Sequence, residues 1–468
     1  MRDETSQVTS IGDDSRERSE PRPALFVRSF RKQYPCAVRG RGVYLWDDRG
    51  HRYLDFAGSA TACFIGHGEE QISRAMAEQA RALEFAHTTQ FITPVAERFA
   101  EELLEFAGEG FRRGAVFFTS GGSESTETAL KLARQYQVEI GHKERFQVIS
   151  RRQSYHGATL GALAVSGNVK RRETYLPMVR EFAHVGIPNC YHCAYTCDYG
   201  CDDCGTRYAA ELQSALDGVE GAAAAFIFEP VSGATLGAAV PPASYLPKVF
   251  DICKGADVLT IADEVMTGFG RTGKNFACEH WRVTPDIVVL AKGISSGYAP
   301  LGAVVANQKV VNAIANGSGM LVHGYTYNAH PVAVAAGREV LARIRASNLV
   351  LEASAKAELL QDALRTLYEC CSVGDVRGIG LLWGVEFVQN KLTKEPFDPS
   401  ANFAGQVAEE CMTRGLSVYP VQGCVDGYKG DHVLIAPPAV ITEEQIKWSV
   451  ERLKASIEEV ERRIASGT

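Results

Sequence analysis

The segments Val258-Leu-Thr-Ile-Ala-Asp-Glu264 and Ile287-Val-Val-Leu-Ala-Lys-Gly293 decide the fold of this chain. Each is a short apolar run that leads into a charged residue, a pattern typical of a strand buried on both faces. Similar runs at residues 115–118, 147–149 and 223–228 alternate with stretches of helical spacing. The alternation predicts a largely parallel sheet with helices on both of its faces.

Two charged side chains follow these strands at the same edge of the predicted sheet. Asp263 ends the first apolar run, and Lys292 comes just after the second. Because ligands bind beyond the carboxyl ends of parallel strands, we expect both side chains in one site. A desolvated lysine loses its proton and becomes a Schiff-base nucleophile. An ion pair between Asp263 and Lys292 explains the two residues equally well.

A turn of small residues, Thr119-Ser-Gly-Gly-Ser-Glu124, connects the run at 115–118 to a helical stretch. Backbone N–H groups in such a turn bind an anion at the positive end of the helix dipole. The alternative is a well-capped helix, since the Ser123 hydroxyl is a suitable N-cap acceptor. The combination of this turn with Lys292 and Asp263 makes the pattern specific.

The segment Gly268-Phe-Gly-Arg-Thr-Gly-Lys274 is similar to two nucleotide-binding loops. A P-loop needs serine or threonine after the lysine to hold magnesium, but Asn275 stands there. A dinucleotide-binding glycine loop must open a helix, and residues 275–278 lack helical spacing. This segment therefore does not predict a nucleotide site.

Composition excludes several classes of protein. The chain has 468 residues, of which 46% are hydrophobic and 22% charged, and its net charge is −7, as in ordinary globular proteins. An acidic chain without a long apolar run gives no reason to expect a nucleic-acid or membrane partner. Residues 1–24 lack the apolar region of an export signal, so we expect a cytoplasmic protein with a disordered tail.

Six motifs stand in the order found in one enzyme family: Ser120-Gly-Gly-Ser-Glu124, Tyr155-His-Gly157, Glu229-Pro-Val231, Asp263-Glu-Val-Met-Thr-Gly-Phe-Gly-Arg-Thr-Gly273, Ala291-Lys-Gly293 and His323-Gly-Tyr-Thr-Tyr327. From about residue 25 to about residue 460, the sequence resembles the class III aminotransferases, which are pyridoxal-phosphate (PLP) enzymes of fold type I. The resemblance implies an α/β fold with a large domain and a small domain. The large domain has a mainly parallel seven-stranded sheet flanked by helices, and the small α+β domain is built from the N- and C-terminal segments.

The resemblance also implies domain boundaries: the N-terminal part of the small domain at 25–85, the large PLP-binding domain at 86–335, a Cys-rich insertion within it at 189–205, and the C-terminal part of the small domain at 336–468. A change of pattern supports the last boundary. A long helical stretch runs from about residue 332 to about residue 367, and a strand-like run follows at 380–388.

The same resemblance implies the roles of single residues. Lys292 holds the cofactor as a Schiff base and shuttles a proton, while Asp263 keeps the pyridine nitrogen protonated. Tyr155 and Val265 pack on the two faces of the ring. The other implied cofactor-binding residues are Gly121, Gly122 and Ser123 at the phosphate, His156, Glu229, and Thr326 from the neighbouring subunit. A homodimer with shared active sites is therefore expected, and assembly of dimers into tetramers is left open.

One position departs from the family. Members that use α-amino acids carry an arginine shortly before an Ala-Pro-Pro, where it binds the α-carboxylate and is balanced by the glutamate of the Glu-Pro motif. Here Leu434 stands at the arginine's position, and Glu229 lacks that partner. We therefore expect an amine donor without an α-carboxylate and a keto acid, aldehyde or ketone as acceptor. Arg377 is a candidate for binding an acidic co-substrate, with a structural salt bridge as the alternative.

The loop Gly58-Ser-Ala-Thr-Ala-Cys-Phe-Ile-Gly-His67 carries small residues near Thr61. Amine-transaminase relatives often have a bulky aromatic residue there, so a roomier pocket and a bulky or long-chain substrate are expected.

The core motifs also fit a racemase, an aminomutase or a decarboxylase of the same fold. A non-catalytic PLP-binding interaction protein is a remote alternative, because all the core residues are intact.

Five of the 13 cysteines fall between Cys190 and Cys204. Cys190, Cys193, Cys201 and Cys204 form two C-x2-C pairs and are candidate ligands of a structural zinc ion. The gap between the pairs is shorter than in usual zinc motifs, so free thiols or a local disulfide are the alternatives. No catalytic metal is expected, because PLP supplies the electrophile.

Overall fold

The computed structural model describes residues 24–197 and 201–466, so nearly all of the predicted tail at 1–24 lies outside the described residues. The strands are β1 (Ala37–Arg41), β2 (Tyr44–Asp47), β3 (Arg52–Asp55), β4 (Ala115–Thr119), β5 (Gln147–Arg151), β6 (His184–Val185), β7 (Ala223–Phe228), β8 (Leu259–Asp263), β9 (Ile287–Leu290), β10 (Gly302–Ala306), β11 (Val373–Ile379), β12 (Leu382–Phe387), β13 (Leu416–Ser417), β14 (Tyr419–Gln422) and β15 (Asp431–Ile435). The helices are α1 (Gly58–Thr61), α2 (Glu70–Ala82), α3 (Pro94–Ala107), α4 (Gly122–Glu139), α5 (Leu160–Val165), α6 (Val169–Arg172), α7 (Asp202–Gly218), α8 (Tyr245–Gly255), α9 (Gln308–Asn316), α10 (Pro331–Ala346), α11 (Leu349–Arg365), α12 (Phe403–Thr413) and α13 (Glu443–Ser466). None of these described helices is long and apolar enough to cross a membrane.

The largest sheet among the described residues has seven strands, in the order β4-β10-β9-β8-β7-β5-β6. Strands β6, β5, β7, β8 and β9 run parallel, while β10 is antiparallel to both β4 and β9. The predicted mainly parallel, seven-stranded sheet is confirmed, although sequence analysis did not predict β10. Because β10 is antiparallel to both of its neighbours, β4 and β9 run in the same direction. The carboxyl ends of β4, β7, β8 and β9 therefore lie at one edge of the sheet.

The central strands are buried on both faces, as their continuous apolar sequences indicate. In β9, Val288 and Leu290 belong to one apolar cluster, and Ile287 and Val289 belong to another. Residues of α3 and α10 contribute to the first cluster and residues of α4 to the second. Each such side chain contributes roughly 1.5–3 kcal/mol by leaving water, so the sheet is firmly held where it carries the charged residues.

The N- and C-terminal segments share a small sheet. Strands β1, β2 and β3 are antiparallel, and β13 from the C-terminal part pairs parallel with β3, with Leu416 opposite Leu54. A second four-stranded sheet, β11-β12-β15-β14, is antiparallel throughout. The pairing of β3 with β13 agrees with a small α+β unit that takes its strands from both ends of the chain.

The helical stretch from about 332 to 367 consists of two helices, α10 and α11, rather than one. The break lies at Ser347 and Asn348, and Asn348 has a φ of 49°. Asparagine adopts this left-handed conformation more readily than most residues, so it can turn the chain between two helices.

Candidate active site

Lys292 lies just beyond the end of β9 and begins a 3-10 turn that ends at Ile294. Its φ of 48° is in the left-handed region, where a lysine backbone is strained. The Nζ amine donates a hydrogen bond to the Thr61 hydroxyl, 3.1 Å away. Burial lowers the pKa of Lys292 to about 8, although the charges of Asp263 and Glu229 oppose the shift. An appreciable fraction of the amine is therefore neutral and nucleophilic near neutral pH.

Asp263 is the last residue of β8, and the parallel register places it opposite Val289 of β9. Its Oδ1 accepts a hydrogen bond from the Val265 N–H at 3.1 Å, and its Oδ2 lies 2.7 Å from His156 Nδ1. The other ring nitrogen of His156, Nε2, is buried without a hydrogen-bond partner in the described part of the chain. His156 thus fixes the orientation of the Asp263 carboxylate.

The turn after β4 leads directly into α4. Gly121 is the N-cap residue, and no side chain caps the helix, so the alternative of Ser123 as N-cap is wrong. Instead, Ser123 Oγ accepts a hydrogen bond from the Ala158 N–H at 2.9 Å. The first N–H groups of a helix have no acceptor within the helix, so they suit a phosphate at this end of α4.

Gly157 allows the segment after Tyr155 to approach the start of α4. Its φ is 141°, and a Cβ at this position would lie 2.8 Å from Ser123 Oγ and 2.8 Å from Ala162 Cβ. Any other residue would push the segment away from Ser123. The glycine of the Tyr-His-Gly motif is therefore required by packing against the anion-binding turn.

One cavity of about 200 Å³ joins these features. It is lined by Gly122, Ser123, Tyr155, His156, Gly157, Glu229, Val231, Asp263, Val265, Met266, Ala291 and Lys292. Gly122 lies across from Val265, because a Cβ on Gly122 would be 3.4 Å from the Val265 methyl carbons. The cavity brings together the lysine, the acid and the turn that the sequence predicts to meet at this edge.

Glu229, which follows β7, meets backbone N–H groups in place of a basic side chain. Its Oε1 accepts from Gly233 at 3.0 Å and its Oε2 accepts from Tyr155 at 3.4 Å, and no ion pair to lysine or arginine forms within the described residues. Burial raises the pKa of Glu229. The environment thus shifts Glu229 toward its neutral form, and the two backbone N–H groups take the place of the family's arginine as its partners.

Three candidate substrate residues do not line the cavity: Thr61, which contacts Lys292 from outside the lining, Leu434 and Arg377. Leu434 in β15 is fully buried in the apolar cluster that also contains the cavity residue Val231. Arg377 in β11 is buried and pairs with Asp375 at 2.9 Å and with Glu386 at 2.7 Å. These contacts favour the structural salt bridge over a substrate-binding role for Arg377. The candidate zinc ligands also lie outside the cavity lining: Cys190, Cys193, Cys201 and Cys204.

Thr326 is exposed and does not line the cavity of its own chain. Large apolar side chains near it are exposed as well, with Val322 at 77% and Tyr327 at 60%. Exposed apolar side chains close together are typical of a surface that contacts another protein.

Thr61 reaches Lys292 from an unusual turn. Ser59, Ala60 and Thr61 have φ values of 48°, 59° and 68°, so three successive residues other than glycine are left-handed. Such a conformation costs roughly 1–2 kcal/mol per residue, so the surrounding structure must hold it. Nothing in the local sequence predicts this turn.

Two polar side chains that hold this region were not predicted. Arg271 is fully buried and donates hydrogen bonds to the carbonyl oxygens of Ala436 at 2.9 Å and Cys63 at 3.2 Å. Ser296 Oγ accepts from the Phe64 N–H at 2.8 Å. All of these partners are distant in sequence, so no local pattern could have identified them.

Arg171 in α6 is a third residue near the site that sequence analysis missed. Its guanidinium carbon lies 4.4 Å from the centroid of the Tyr155 ring, and Tyr155 lines the cavity. Its charge is close enough to Lys292 to lower the pKa of that amine, although less than burial does. The short helix that carries Arg171 has no sequence pattern that points to the cavity.

Comparison with known proteins identifies the family. The family model for aminotransferase class-III matches residues 28–457. The uncharacterized aminotransferase YodT of Bacillus subtilis is 36% identical over 92% of this chain and 96% of that protein. The putrescine–pyruvate aminotransferase of Pseudomonas aeruginosa is 34% identical over 87% of each protein. An amine transaminase from an uncultivated Pseudomonas species, solved with PLP bound, is 34% identical with a TM-score of 0.87, covering 95% of this chain and 99% of that chain.

The chain belongs to the class III aminotransferase family, and it is a PLP-dependent aminotransferase of fold type I. The site fits this cofactor. Lys292 and Asp263 line one cavity, the start of α4 suits the phosphate, and the unpaired His156 Nε2 is a buried polar atom that a bound group would satisfy. When bound, PLP supplies a ring that accepts electrons from a bond broken at the substrate carbon.

Proposed function

We propose that this aminotransferase takes the amino group from an amine without an α-carboxylate and transfers it to a keto acid, an aldehyde or a ketone. The proposal rests on one observation: Glu229 accepts hydrogen bonds from backbone N–H groups, while Leu434, at the position of the family's arginine, is buried in an apolar cluster. A donor α-carboxylate on the Glu229 side of the cavity would therefore meet a buried acid rather than an arginine, and an uncompensated charge in a dry site is costly. An amine such as putrescine, the donor named for one relative, carries no such group.

Lys292 is the proposed catalytic base and the residue that holds the cofactor covalently. Its neutral Nζ takes the proton from the substrate carbon that bears nitrogen and gives it up again as the amino group moves. The lowered pKa of about 8 suits this exchange, because a base works best when its pKa lies near the working pH. The Thr61 hydroxyl, 3.1 Å away, orients the amine.

Asp263 is proposed to hold the proton on the pyridine nitrogen, and His156 is proposed to orient Asp263 through the 2.7 Å contact. Tyr155 and Val265, which both line the cavity, are proposed to sandwich the ring. Gly121, Gly122 and Ser123 are proposed to bind the phosphate at the start of α4.

The pocket is proposed to accept bulky or long-chain amines. Ala60 and Thr61 carry small side chains at the turn that approaches Lys292 from the N-terminal segment. A small side chain at this wall leaves room that a tryptophan or phenylalanine would fill.

Arg171 is the proposed site for the carboxylate of a keto-acid acceptor. It is half-buried, stacks on Tyr155 and has no acidic partner among the described residues. Replacing it by methionine should raise KM for pyruvate at least about tenfold, the size of one charged hydrogen bond. Steady-state kinetics should show KM for an aldehyde acceptor unchanged. An equal change in both KM values would mean that Arg171 only supports Tyr155.

The enzyme is proposed to act as a homodimer with shared sites. The exposure of Thr326 next to exposed Val322 and Tyr327 supports a subunit interface there, with Thr326 binding the phosphate in the partner's site. The proposed domains keep the predicted boundaries, with the small domain at 25–85 and 336–468 and the large domain at 86–335.

A donor series tests the proposed substrate class. The PLP-loaded enzyme is mixed with monoamines and diamines of increasing chain length, and separately with α-amino acids, and conversion to the pyridoxamine form is followed by absorbance. We expect rapid conversion with amines and none with α-amino acids, except the one that a keto-acid acceptor itself yields, which is alanine for pyruvate. Rapid conversion by α-amino acids that match no keto-acid acceptor would overturn the substrate class, and a preference for the shortest amines would overturn the roomy pocket. Lys292→Ala is the control without activity.

A further inference from the structure

The Cys-rich segment brings several thiols together outside the lining of the PLP cavity. It runs from the loop after β6 into the first turn of α7, and the sulfur atoms of Cys193, Cys197 and Cys204 all lie within 4.8 Å of one another. Cys193 and Cys197 are half-buried and Cys204 is buried. Three thiols at this separation, with no disulfide among them, form a cluster that the aminotransferase reaction does not use.

A fourth thiol contacts one member of this cluster. The Cys201 thiol is within hydrogen-bonding reach of the Cys197 thiol. The Cys204 thiol in turn donates a hydrogen bond to the carbonyl oxygen of Cys201, the N-cap residue of α7, at 3.0 Å. The structure therefore groups Cys197 with Cys193, Cys201 and Cys204, whereas the sequence prediction included Cys190 in place of Cys197.

We propose that Cys193, Cys197, Cys201 and Cys204 bind one zinc ion. Four thiolates in a tetrahedron are a preferred structural zinc site, with Zn–S distances of about 2.3 Å and hence sulfur separations of about 3.8 Å. The sulfur atoms of Cys193, Cys197 and Cys204 need to move by only about 1 Å from their present separation to reach that geometry. The Cys201 thiol joins them through its contact with the Cys197 thiol. The site is closed, because all four positions are filled by protein ligands, so the ion has a structural role.

The segment also contacts the C-terminal part of the chain, and a bound zinc ion would stabilise these contacts. His192 Nε2 lies 2.5 Å from Glu386 Oε1 in β12, and Glu386 also pairs with Arg377. Lys394 donates to the Tyr191 carbonyl oxygen at 2.7 Å, and its ammonium nitrogen lies 4.7 Å from the centroid of the Tyr191 ring. Tyr191 and His192, directly before Cys193, thus join the insertion to β12 and to the loop that follows β12. A zinc ion would fix the fold of the segment that makes these contacts.

Metal analysis of the full-length protein tests the proposal. Protein expressed with added zinc and purified without chelator or metal-affinity resin should contain about one zinc per chain. The double variant C197S/C204S should lose that zinc, and the matched variant C36S/C371S, which changes two exposed cysteines outside the segment, should keep it.

Cobalt substitution of the unmutated protein makes the test independent of whether the double variant folds. Loading with Co²⁺ should give thiolate-to-cobalt charge-transfer bands and the intense d–d bands of a tetrahedral site. Peptide mapping without reduction should find no disulfide among the five cysteines of the segment. A zinc content near zero with reactive thiols, an octahedral cobalt spectrum, or a disulfide between Cys193 and Cys204 would each overturn the proposal.

Discussion

At the scale of single residues, the sequence positions of Lys292 and Asp263 predict that their side chains meet. Lys292 and Asp263 could be predicted because each stands at the carboxyl end of a buried strand, where the chain direction alone fixes the edge of the sheet. Their supporting contacts could not be predicted. The bonds from His156 to Asp263 and from Lys292 to Thr61 join segments that are distant in sequence, and only the tertiary fold brings them together.

The lowered pKa of Lys292 predicts a pH profile for cofactor capture. Only the neutral amine attacks the PLP aldehyde, so the rate for cofactor-free enzyme should rise with pH and level off above about 8. Stopped-flow absorbance measures this rate. An ordinary lysine with a pKa of 10.5 would give a rate that keeps rising well beyond that point, and such a profile would contradict the prediction. Lys292→Ala should capture no PLP, and the exposed Lys274→Ala should behave as the unchanged enzyme.

The raised pKa of Glu229 predicts that a neutral replacement is tolerated. Glutamine has the size of the acid and keeps an acceptor oxygen for the Gly233 N–H, but its amide nitrogen cannot accept from the Tyr155 N–H. Because only this longer contact of 3.4 Å is lost, Glu229→Gln should keep the amine half-reaction within about tenfold of the unchanged enzyme. Single-turnover absorbance with PLP-loaded protein measures the rate. A loss of about a thousandfold would show that the ionised carboxylate is needed. Glu229→Ala, which leaves a void and removes both backbone contacts, should be the slower variant.

At the scale of elements, the alternation of apolar runs and helical stretches predicts the sheet, but it does not predict the order of its strands. β10 is short and made of small residues, and it enters between β4 and β9 against the direction of both. Periodicity carries no information about that neighbour order. The break between α10 and α11 was missed for a similar reason, because Asn348 alone changes the backbone conformation there.

Gly157 offers a test of how α4 and the Tyr-His-Gly segment are held together. Gly157→Ala places a Cβ 2.8 Å from Ser123 Oγ, so the start of α4 must shift and the Kd for PLP should rise at least about tenfold. Gly141→Ala is the matched control, because Gly141 also has a positive φ but has no atom within 4 Å of its Cβ position. We expect Gly141→Ala to lower stability by about 1 kcal/mol and to leave PLP affinity unchanged. Fluorescence titration with PLP and urea unfolding measure the two effects, and equal PLP affinities would contradict this account.

At the scale of the whole molecule, the sequence predicts a large domain and a small domain. The residue pattern supports this division, because the alternation of apolar runs and helical stretches ends where the long helical stretch begins. The sharing of one sheet by β3 and β13 is a long-range pairing, and it followed only from the resemblance to the family. The strained turn at Thr61 depends on the same long-range packing, since Arg271 bonds to both Cys63 and Ala436. The shape of the pocket wall could therefore not be derived from local pattern.

Shared active sites predict complementation between two inactive variants. If Thr326 serves the partner's site, co-expression of Lys292→Ala with Thr326→Glu should produce heterodimers with one intact site each. With equal amounts of both chains, about a quarter of all sites would be intact. Activity of differentially tagged, co-purified heterodimers measures this recovery. Two variants that stay inactive in verified heterodimers would contradict the shared site, and Thr326→Ser should remain active as the conservative control.

The parallel pairing of β3 with β13 has a consequence for the folding of the chain during its synthesis on the ribosome. Synthesis proceeds from the N-terminus, so the β3 edge must wait, unpaired, until residues 416–417 have left the exit tunnel. Thr61 follows β3 directly, and Arg271 cannot meet Ala436 before that point either. When Lys292 has been synthesised, the pocket around it is therefore still incomplete. The enzyme can become active only after the last strands have been synthesised and have paired.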